Sequence, residues 1–351
     1  MRVGVLSAEG LNYSFKTYLD KLIYGLSLLG VEILPFSVRE KLPPGLDIVW
    51  DPSQTLPDLL HKAECPVIVT IQGDYELGVP SGDIYGYGIR GRLAAYRSKL
   101  LIRRKWRLLR DKCSAIITIS QYARKVLAAE LGFPPDKLHL AYHGVDTNVF
   151  NPQGIAHVRT APYLLHVSHY KYKPNIRRKN LERIVQAYSM LPQRKKVQLK
   201  LVVSEYSGPP INIEGVEIIT SRIPAETLVS CYRGAIGFVF PSLHEGFGVP
   251  ILEAMACGCP VITSDVTACP EVAGDAAILV APHSVDAIAH AMRRLIGSPA
   301  LYAELREKGL ARAAEFSWER SAQRHLDVFQ GVIEGGGQAR GPGIRGKSGE
   351  I

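Results

Sequence analysis

The amino-acid sequence predicts an α/β protein made of two doubly wound domains that face each other across a cleft. Short apolar runs alternate with helical patterns, and this alternation restarts after the turn-rich segment 151–154. The length of 351 residues corresponds to about two domains of roughly 150 residues each. Hydrophobic residues make up 46% of the chain and charged residues 21%, which excludes a disordered chain, a collagen-like fibre and a coiled coil.

The first half of the chain carries strand and helix patterns in turn. Apolar residues that recur every three or four positions predict helices at 13–29, 93–109 and 122–131. Short, uninterrupted apolar runs are typical of parallel strands that are buried on both faces. Such runs predict strands at 3–6, 31–36, 48–50, 67–71 and 115–119.

The second half repeats the alternation. Strands are predicted at 163–167, 199–203, 216–219, 236–240, 261–263 and 278–280, and helices at 285–296, 300–316 and 318–333. We therefore divide the chain into an N-terminal domain, 1–155, and a C-terminal domain, 156–316, followed by a terminal helix, 317–333. The Gly-rich remainder, 334–351, is predicted to be a disordered tail.

The net charge of +9 comes from one segment. Residues 89–112 hold ten Lys or Arg and a single acid, Asp111, so the rest of the chain is neutral. This distribution excludes a globally basic nucleic-acid-binding protein. The apolar residues of the segment fall on two helical faces, so we expect the helix to be interrupted near Leu101. One face carries Leu93, Tyr96 and Leu100, and the other carries Ile102, Trp106 and Leu109.

The cysteines and the hydropathy pattern indicate the compartment. No window approaches about 18 consecutive apolar residues, and no secretory signal precedes the first predicted strand. Six irregularly spaced cysteines do not form a disulfide framework. Cys257 and Cys259 lie too close together for a zinc pair, and the sequence has no D-x-D motif. We expect buried free thiols, no metal site and a reduced, cytoplasmic protein.

The densest chemical signal lies in residues 240–258. A buried strand ends at Phe240, a loop with two glycines follows, and Pro250 suits the first turn of the next helix. Glycines let a ligand approach the backbone, and the amides at a helix start can receive a phosphate. Glu245 and Glu253 can accept hydrogen bonds from pairs of sugar hydroxyls.

With residues 259–264 and 270–275, this string resembles the retaining, nucleotide-sugar-dependent glycosyltransferases of family 4, which have the GT-B fold of two Rossmann-like domains. The resemblance covers nearly all of residues 160–330 and, more loosely, the first half. It implies that Glu245 lies at the donor sugar and that Glu253 binds the ribose hydroxyls. The donor-binding residues implied in this string are Glu245, Gly246, Phe247, Gly248, Leu252 and Glu253. It also implies that the terminal helix returns to the first domain.

A second match combines residues 166–169 with Arg178, Lys179 and Asn180. The resemblance implies that Lys179, with Arg178, neutralises the diphosphate of the donor, where negative charge develops as the nucleotide leaves. Asn180 suits the N-cap of the following helix. A solvated basic turn is the alternative for this segment.

The first domain departs from the family pattern at two places. Gly10 is the only glycine in the loop 7–14, where relatives often carry a pair that faces the diphosphate, and the absence of G-x-G-x-x-G disfavours a dehydrogenase. Gln72 stands where many relatives have a histidine near the reacting centre. Glutamine can hold a substrate by hydrogen bonds but cannot carry a proton charge. We nevertheless expect Gln72, together with Lys179 and Glu245, to lie at the catalytic centre.

The basic segment 89–112 matches a region that often faces the acceptor in this family. It can contact anionic lipid headgroups or a pyrophosphate-linked acceptor, or it can be a helix with a solvated cationic face. The residues expected on this acceptor or membrane side are Arg103, Arg104, Lys105, Trp106 and Arg107. A peripheral location on the inner face of the membrane would follow from the first of these interpretations.

The resemblance implies a retaining, metal-independent transferase that moves a hexose from a nucleotide diphosphate sugar to a glycan or lipid-linked acceptor, in cell-surface polysaccharide or glycolipid assembly. The nucleotide sugar is then a co-substrate, with no cofactor. Three alternatives stay open: another GT-B enzyme such as an epimerase or phosphorylase, a non-catalytic sugar-nucleotide-binding relative, and a glycoside hydrolase. The hydrolase would need its two carboxyls roughly 5–9.5 Å apart around one bond.

Overall fold

The structure is a computed structural model of the chain with two lobes, each built on a parallel β-sheet. It describes residues 1–6, 13–37, 40–52, 63–72, 78, 80–86, 88–110, 112–157, 161–169, 178–192, 196–206, 208 and 210–335. The predicted tail lies outside the described residues from residue 336 onward.

The sheet of the first lobe has six parallel strands. These are β1 (Arg2–Leu6), β2 (Glu32–Phe36), β3 (Ile48–Asp51), β4 (Val67–Ile71), β5 (Ala115–Thr118) and β6 (Leu138–Leu140). Their order is β2-β1-β3-β4-β5-β6. The sequence predicted the first five within one residue at each end and missed the short edge strand β6. Strand addition reverses between β1 and β3, and ligands of such sheets bind at the carboxyl ends beside this reversal.

Four helices are described in the first lobe, and the third is continuous. They are α1 (Tyr13–Leu28), α2 (Ser81–Tyr85), α3 (Ile89–Arg110) and α4 (Gln121–Leu131). The expected interruption of α3 near Leu101 is wrong. The two apolar faces have another cause, because the C-terminal half of α3 is buried through Ile102, Trp106 and Leu109 while Leu93 and Leu100 in the N-terminal half are exposed.

The sheet of the second lobe also has six parallel strands. These are β7 (Tyr163–His169), β8 (Gln198–Ser204), β9 (Val216–Ile219), β10 (Gly237–Phe240), β11 (Val261–Ser264) and β12 (Ala277–Val280). The sequence predicted all six within two residues at each end. Their order, β12-β11-β10-β7-β8-β9, is that of a dinucleotide-binding Rossmann sheet, whose reversal lies between β7 and β10.

Helices cover both faces of this second sheet. They are α5 (Leu181–Ser189), α6 (Ala225–Gly234), α7 (Val249–Ala256), α8 (Cys269–Ala273), α9 (Val285–Gly297) and α10 (Pro299–Ala314). The core on one face is formed with α5 and α9, and the core on the other with α6, α7 and α8. Cys257, Cys259 and Cys269 are buried free thiols within the second core.

The last helix, α11 (Trp318–Glu334), packs on the first lobe. Its residues Ala322 and Phe329 are fully buried in the same cluster as Trp50 of β3. Gly25 of α1 permits this packing, because a Cβ there would lie 2.7 Å from the Cβ of Ala322. A backbone hydrogen bond joins the segment that leaves the first lobe to the segment that returns to it. The Val145 N–H donates to the Phe316 carbonyl at 3.0 Å.

Candidate functional site

The loop between β10 and α7, residues 241–248, lies at the reversal point of the second sheet, and we call it the donor loop. It follows Phe240 at the carboxyl end of β10 and ends at Gly248, the N-cap of α7. Gly248 has φ 106°, a left-handed conformation that other residues adopt only with strain. The glycine that the sequence marked for close backbone approach is therefore required by the turn itself.

A buried ion pair joins the basic segment 178–180 to the donor loop. The Lys179 ammonium donates to Glu245 Oε1 at 2.7 Å, and both side chains are about one-tenth exposed. The same ammonium lies 4.7 Å from the centroid of the Phe240 ring, within range of a cation–π interaction. The structure thus brings together two predicted catalytic residues that are 66 positions apart in the chain.

Burial is the largest influence on the pKa of both members of this pair. The pKa of Lys179 lies below its ordinary value, because burial outweighs the attraction of Glu245 and Arg178 adds repulsion. Burial favours neutral Glu245, but the charges of Lys179 and Arg178 and the hydrogen bond from Lys179 hold its pKa below the ordinary value. Two cations surround one carboxylate, so the cluster has an excess positive charge that suits an anionic ligand.

Backbone and side-chain hydrogen bonds hold the segment 178–180 against the donor loop. The Leu243 N–H donates to the Arg178 carbonyl at 2.8 Å. Asn180 stands at the N-cap position of α5 but makes no side-chain cap, which corrects the role we expected for it. Its carboxamide N–H₂ instead donates to the carbonyls of Pro241 and Pro282 at 2.8 and 2.7 Å. Asn180 therefore fixes the donor loop in place.

Glu253 lies one turn into α7 and is partly buried. The hydroxyl of Tyr232 on α6 donates to its Oε2 at 3.2 Å. Burial raises the pKa of Glu253 to about 7, and the Tyr232 hydrogen bond offsets part of that rise. This carboxyl is therefore placed to change its protonation state near neutral pH.

Two of the predicted donor-binding residues point their side chains into the protein. Leu252 is fully buried in the core beside α7. The Phe247 ring packs against Tyr142, His143 and Phe316, with centroid distances of 6.0, 5.1 and 5.9 Å. Only the backbones of these residues remain for contact with a donor.

Of the two site residues predicted near the donor in the first lobe, Gln72 and Gly10, the structure describes only Gln72. Gln72 directly follows β4, and its side chain lies beside the buried Tyr18 hydroxyl. That hydroxyl lies 3.3 Å from His325 Nε2 on α11, so Tyr18 connects the first lobe beside Gln72 to the terminal helix. Gly10 lies outside the described residues.

Trp106 does not lie on the acceptor or membrane side, which corrects our expectation. It is fully buried and packs edge-on against Phe133 at 5.9 Å. Arg103, Arg104 and Arg107 are exposed, and Arg103 pairs with Glu130 at 2.9 Å. Lys105 is half-buried, with its ammonium 4.7 Å from the Trp106 ring. The correction has a simple cause, because 100° per residue separates Trp106 from its charged neighbours.

The sequence analysis assigned no role to the residues that join the lobes beside this site. Ser120 and Glu271 make hydrogen bonds between the lobes. The one signal for Ser120 was its place directly after a predicted strand, before a helix. In the described ranges no helix is both long and apolar enough to cross a bilayer. Across the same part of the chain no three His, Cys, Asp or Glu residues gather as metal ligands.

Two family models match the chain. The model "Glycosyl transferases group 1" matches residues 162–312, and "Glycosyltransferase Family 4" matches 23–149. The chain is 30% identical over 233 residues to O-antigen chain mannosyltransferase B of Escherichia coli, an alignment that covers 63% of this chain and 61% of that protein. It is 29% identical to the MMP alpha-(1->4)-mannosyltransferase of Mycolicibacterium hassiacum, over 62% of this chain and 54% of the relative. The matches thus span less than two thirds of each relative.

Solved structures share the fold over nearly the whole chain. Sucrose-phosphate synthase from Thermosynechococcus elongatus has a TM-score of 0.75 at 18% identity, with 95% of this chain and 99% of that chain covered. Anabaena HepE in complex with UDP-glucose has a TM-score of 0.71 at 15% identity, with 94% and 99% covered. The predicted GT-B fold is confirmed. With family models matched in both lobes, the chain belongs to glycosyltransferase family 4.

Proposed function

We propose that this protein transfers a hexose from a nucleotide diphosphate sugar to a glycan or lipid-linked acceptor in cell-surface polysaccharide or glycolipid assembly. The observation that carries the proposal is the Lys179–Glu245 pair with Arg178, a positively charged cluster at the reversal point of a Rossmann sheet. Mannose is the first candidate sugar, because the relatives described above are named mannosyltransferases. The complex of HepE with UDP-glucose supports a nucleotide sugar donor.

The donor binds with its diphosphate at Arg178 and Lys179. Arg178 Nε is buried, and none of the described residues accepts a hydrogen bond from it. A buried donor group without a partner is costly, so an anionic ligand that bonds to it gains affinity. These two cations supply the positive charge that the leaving diphosphate needs, which is why the proposed reaction is independent of a metal ion. Glu253 accepts hydrogen bonds from the ribose hydroxyls.

The proposed reaction retains the configuration of the sugar. The acceptor hydroxyl attacks the anomeric carbon on the face from which the diphosphate departs, so a new C–O bond forms as the bond to phosphate breaks. The proton of the acceptor hydroxyl passes to the phosphate oxygen that leaves the anomeric carbon. Glu245 and Gln72 hold the sugar by hydrogen bonds, and Gln72 takes no proton because an amide has no acid–base role at neutral pH.

The basic helix α3 supports peripheral contact with an anionic membrane. Four of its exposed apolar residues, Ile89, Leu93, Tyr96 and Leu100, form one stripe at helical spacing, and exposed Leu101 lies beside it. At 100° per residue this stripe lies opposite the buried face and has exposed arginines on both sides. An amphipathic helix of this kind lies in the interface with its apolar stripe among the acyl chains and its arginines at the headgroups. A membrane would supply a lipid-linked acceptor.

Vesicle sedimentation tests this contact. The wild-type protein is expected to sediment with phosphatidylglycerol-containing vesicles and to bind pure phosphatidylcholine vesicles at least tenfold more weakly. The variant L93S/L100S should lose most of the binding without losing stability, because both side chains are exposed. The control variant L28S changes an exposed leucine of α1 and should bind as wild type does. Equal binding by all three proteins contradicts the assignment of α3.

Nucleotide diphosphate release tests the transfer itself. A panel of UDP-, GDP- and ADP-sugars is supplied with and without a lipid-linked acceptor extract, in the presence of a chelator. Release from one donor, reduced severalfold in Glu253→Gln but kept in the exposed control Glu304→Gln, supports the transferase. Donor binding without release favours the non-catalytic relative, and hydrolysis of simple glycosides without a nucleotide favours the glycosidase. Failure to bind any donor overturns the proposal.

A further inference from the structure

Residues 245–247 of the donor loop are held at three successive positions by contacts from different parts of the molecule. The Glu245 N–H donates to Thr267 Oγ1 of the second lobe at 3.2 Å. The next carbonyl, that of Gly246, accepts from Ser120 Oγ at 2.7 Å. Ser120 follows β5 and therefore belongs to the first lobe. A residue of one lobe thus bonds the backbone directly beside the ion-paired carboxylate of the other.

Glu271 of α8 makes a reciprocal contact in the other direction. Its carboxylate accepts from the N–H groups of Gln121 and Tyr122 at 2.6 and 3.1 Å. These amides begin α4, where a carboxylate is favoured by both hydrogen bonding and the helix dipole. Ser120 is the N-cap of that helix, with its Oγ accepting from the Ala123 N–H at 3.0 Å. Glu271 therefore fixes the helix start that carries Ser120.

Tyr142 connects Glu271 to Phe247, the third of the three held loop residues. The Tyr142 hydroxyl donates to Glu271 Oε1 at 2.7 Å, and its ring packs against the Phe247 ring. The backbone of Glu271 is held independently, because its carbonyl accepts from the Arg312 guanidinium at 2.6 Å. A change at the Glu271 carboxylate therefore releases α4 and Tyr142 while the backbone of α8 stays bonded.

We propose that Ser120 and Glu271 are positioning residues that couple the placement of the first lobe to the orientation of the donor loop. Through the Gly246 carbonyl and the Phe247 ring, the first lobe sets the backbone that directly follows Glu245. The loop is in its working orientation only when both lobes are joined in this way. This inference rests on the proposed function, since the loop is taken to hold the donor sugar.

Serine N-caps elsewhere in the chain provide a matched control. Ser298 caps α10 by accepting from the Leu301 N–H at 3.2 Å, and both residues belong to the second lobe. Ser298→Ala removes a cap of the same kind as Ser120→Ala does, but it leaves the donor loop untouched. Ser120→Thr keeps the hydroxyl. Glu271→Gln keeps the shape but turns an N–H₂ donor toward groups that are themselves donors.

The measurements are the transfer rate, the affinity for the nucleoside diphosphate, and amide hydrogen exchange of residues 244–249. Ser120→Ala and Glu271→Gln are expected to lower kcat about tenfold, to change the nucleotide Kd less than about twofold, and to speed exchange in the loop. Ser298→Ala should leave all three as in wild type, and Ser120→Thr should restore most of kcat.

A Ser120→Ala protein that matches Ser298→Ala in both kcat and loop exchange overturns the positioning role. The positioning role is also overturned if Ser120→Ala and Ser298→Ala lose kcat to the same extent and lose folding stability to the same extent. If the wild-type protein transfers no sugar at all, the proposed function fails instead, and the exchange measurement still decides whether the first lobe holds the donor loop.

Discussion

Removing the ammonium of Lys179 should destabilise the protein more than any surface ion pair could. Lys179→Met keeps the apolar stem against the Phe240 ring but leaves Glu245 charged, buried and short of its closest partner. Breaking a buried pair in this way typically costs about 3–5 kcal/mol. Because Arg178 still attracts Glu245, we expect the low end, about 3 kcal/mol, which is a large part of the roughly 5–15 kcal/mol of a typical protein.

Urea unfolding followed by far-ultraviolet circular dichroism measures this cost. Lys308→Met is the control, because its partners Asp275 and Glu304 are exposed and surface pairs of this kind contribute little to stability. The double variant Lys179→Met/Glu245→Gln should recover much of the loss, since no buried carboxylate is then left without its ammonium partner.

The same comparison has a definite pH dependence. In the wild-type protein the pKa of Glu245 lies below its ordinary value, so its stabilising contribution is present above the unfolded pKa and is lost as pH falls through the folded one. Without Lys179, burial raises the pKa of Glu245, and protonation at acid pH relieves the penalty. The stability difference should therefore shrink as the pH is lowered. A loss below about 1 kcal/mol at neutral pH, or a difference that does not change with pH, would refute this reasoning.

Three further outcomes follow from single residues. Trp106→Ala should cost about 3–5 kcal/mol in thermal unfolding, because the ring is fully buried; a cost under 1 kcal/mol would mean that it is not packed in the core. Gly248→Ala should cost about 1–3 kcal/mol and weaken donor binding, since φ is 106° and the new Cβ would lie 3.0 Å from Ile251 Cδ1; an unchanged Kd in titration would separate the turn from the donor. The pKa of Glu253 is raised to about 7, so the stability of the wild-type protein should fall as pH rises from about 4.5 toward 7, and the fall should be smaller in Glu253→Gln. Donor affinity should rise over the same range as the carboxylate forms. Parallel pH profiles of stability for the two proteins would contradict this assignment.

The sequence predicted the strands well because buried parallel strands are short, uniformly apolar runs. Six of them in the second lobe and five in the first were found within two residues. Edge strand β6 is only three residues long, with a half-buried polar residue, His139, between two leucines, so it has no such signal. The order of the strands depends on pairing between distant segments, and local patterns carry no information on it.

The wrong expectation for α3 has a physical origin. Periodicity reports which residues share a face, but it does not report whether a face meets the core or solvent. Leu93 and Trp106 look alike as apolar residues in a basic helix, yet the first is 53% exposed and the second fully buried. Only the packing of the C-terminal half of α3 against the lobe separates the two.

For the site, the sequence predicted the residue types but not their contacts. Lys179 and Glu245 were each marked for a donor, and their mutual ion pair across 66 positions became visible only in the structure. The bonds of Ser120 to Gly246 and of Glu271 to Gln121 span 126 and 150 positions. Such contacts depend on how two lobes dock, which no local spacing encodes.

The most direct measurement is calorimetric titration of UDP, GDP and ADP into the wild-type protein, Arg178→Ala, Glu253→Gln and the surface control Lys308→Ala. The structure predicts that one of these nucleotides binds the wild-type protein and the control equally. Loss of the charged donor at Arg178 should weaken that binding at least tenfold, about 1.4 kcal/mol or more, and Glu253→Gln severalfold. Equal affinity in all four proteins, or no binding of any nucleotide, would contradict a donor site formed by Arg178, Lys179 and the donor loop.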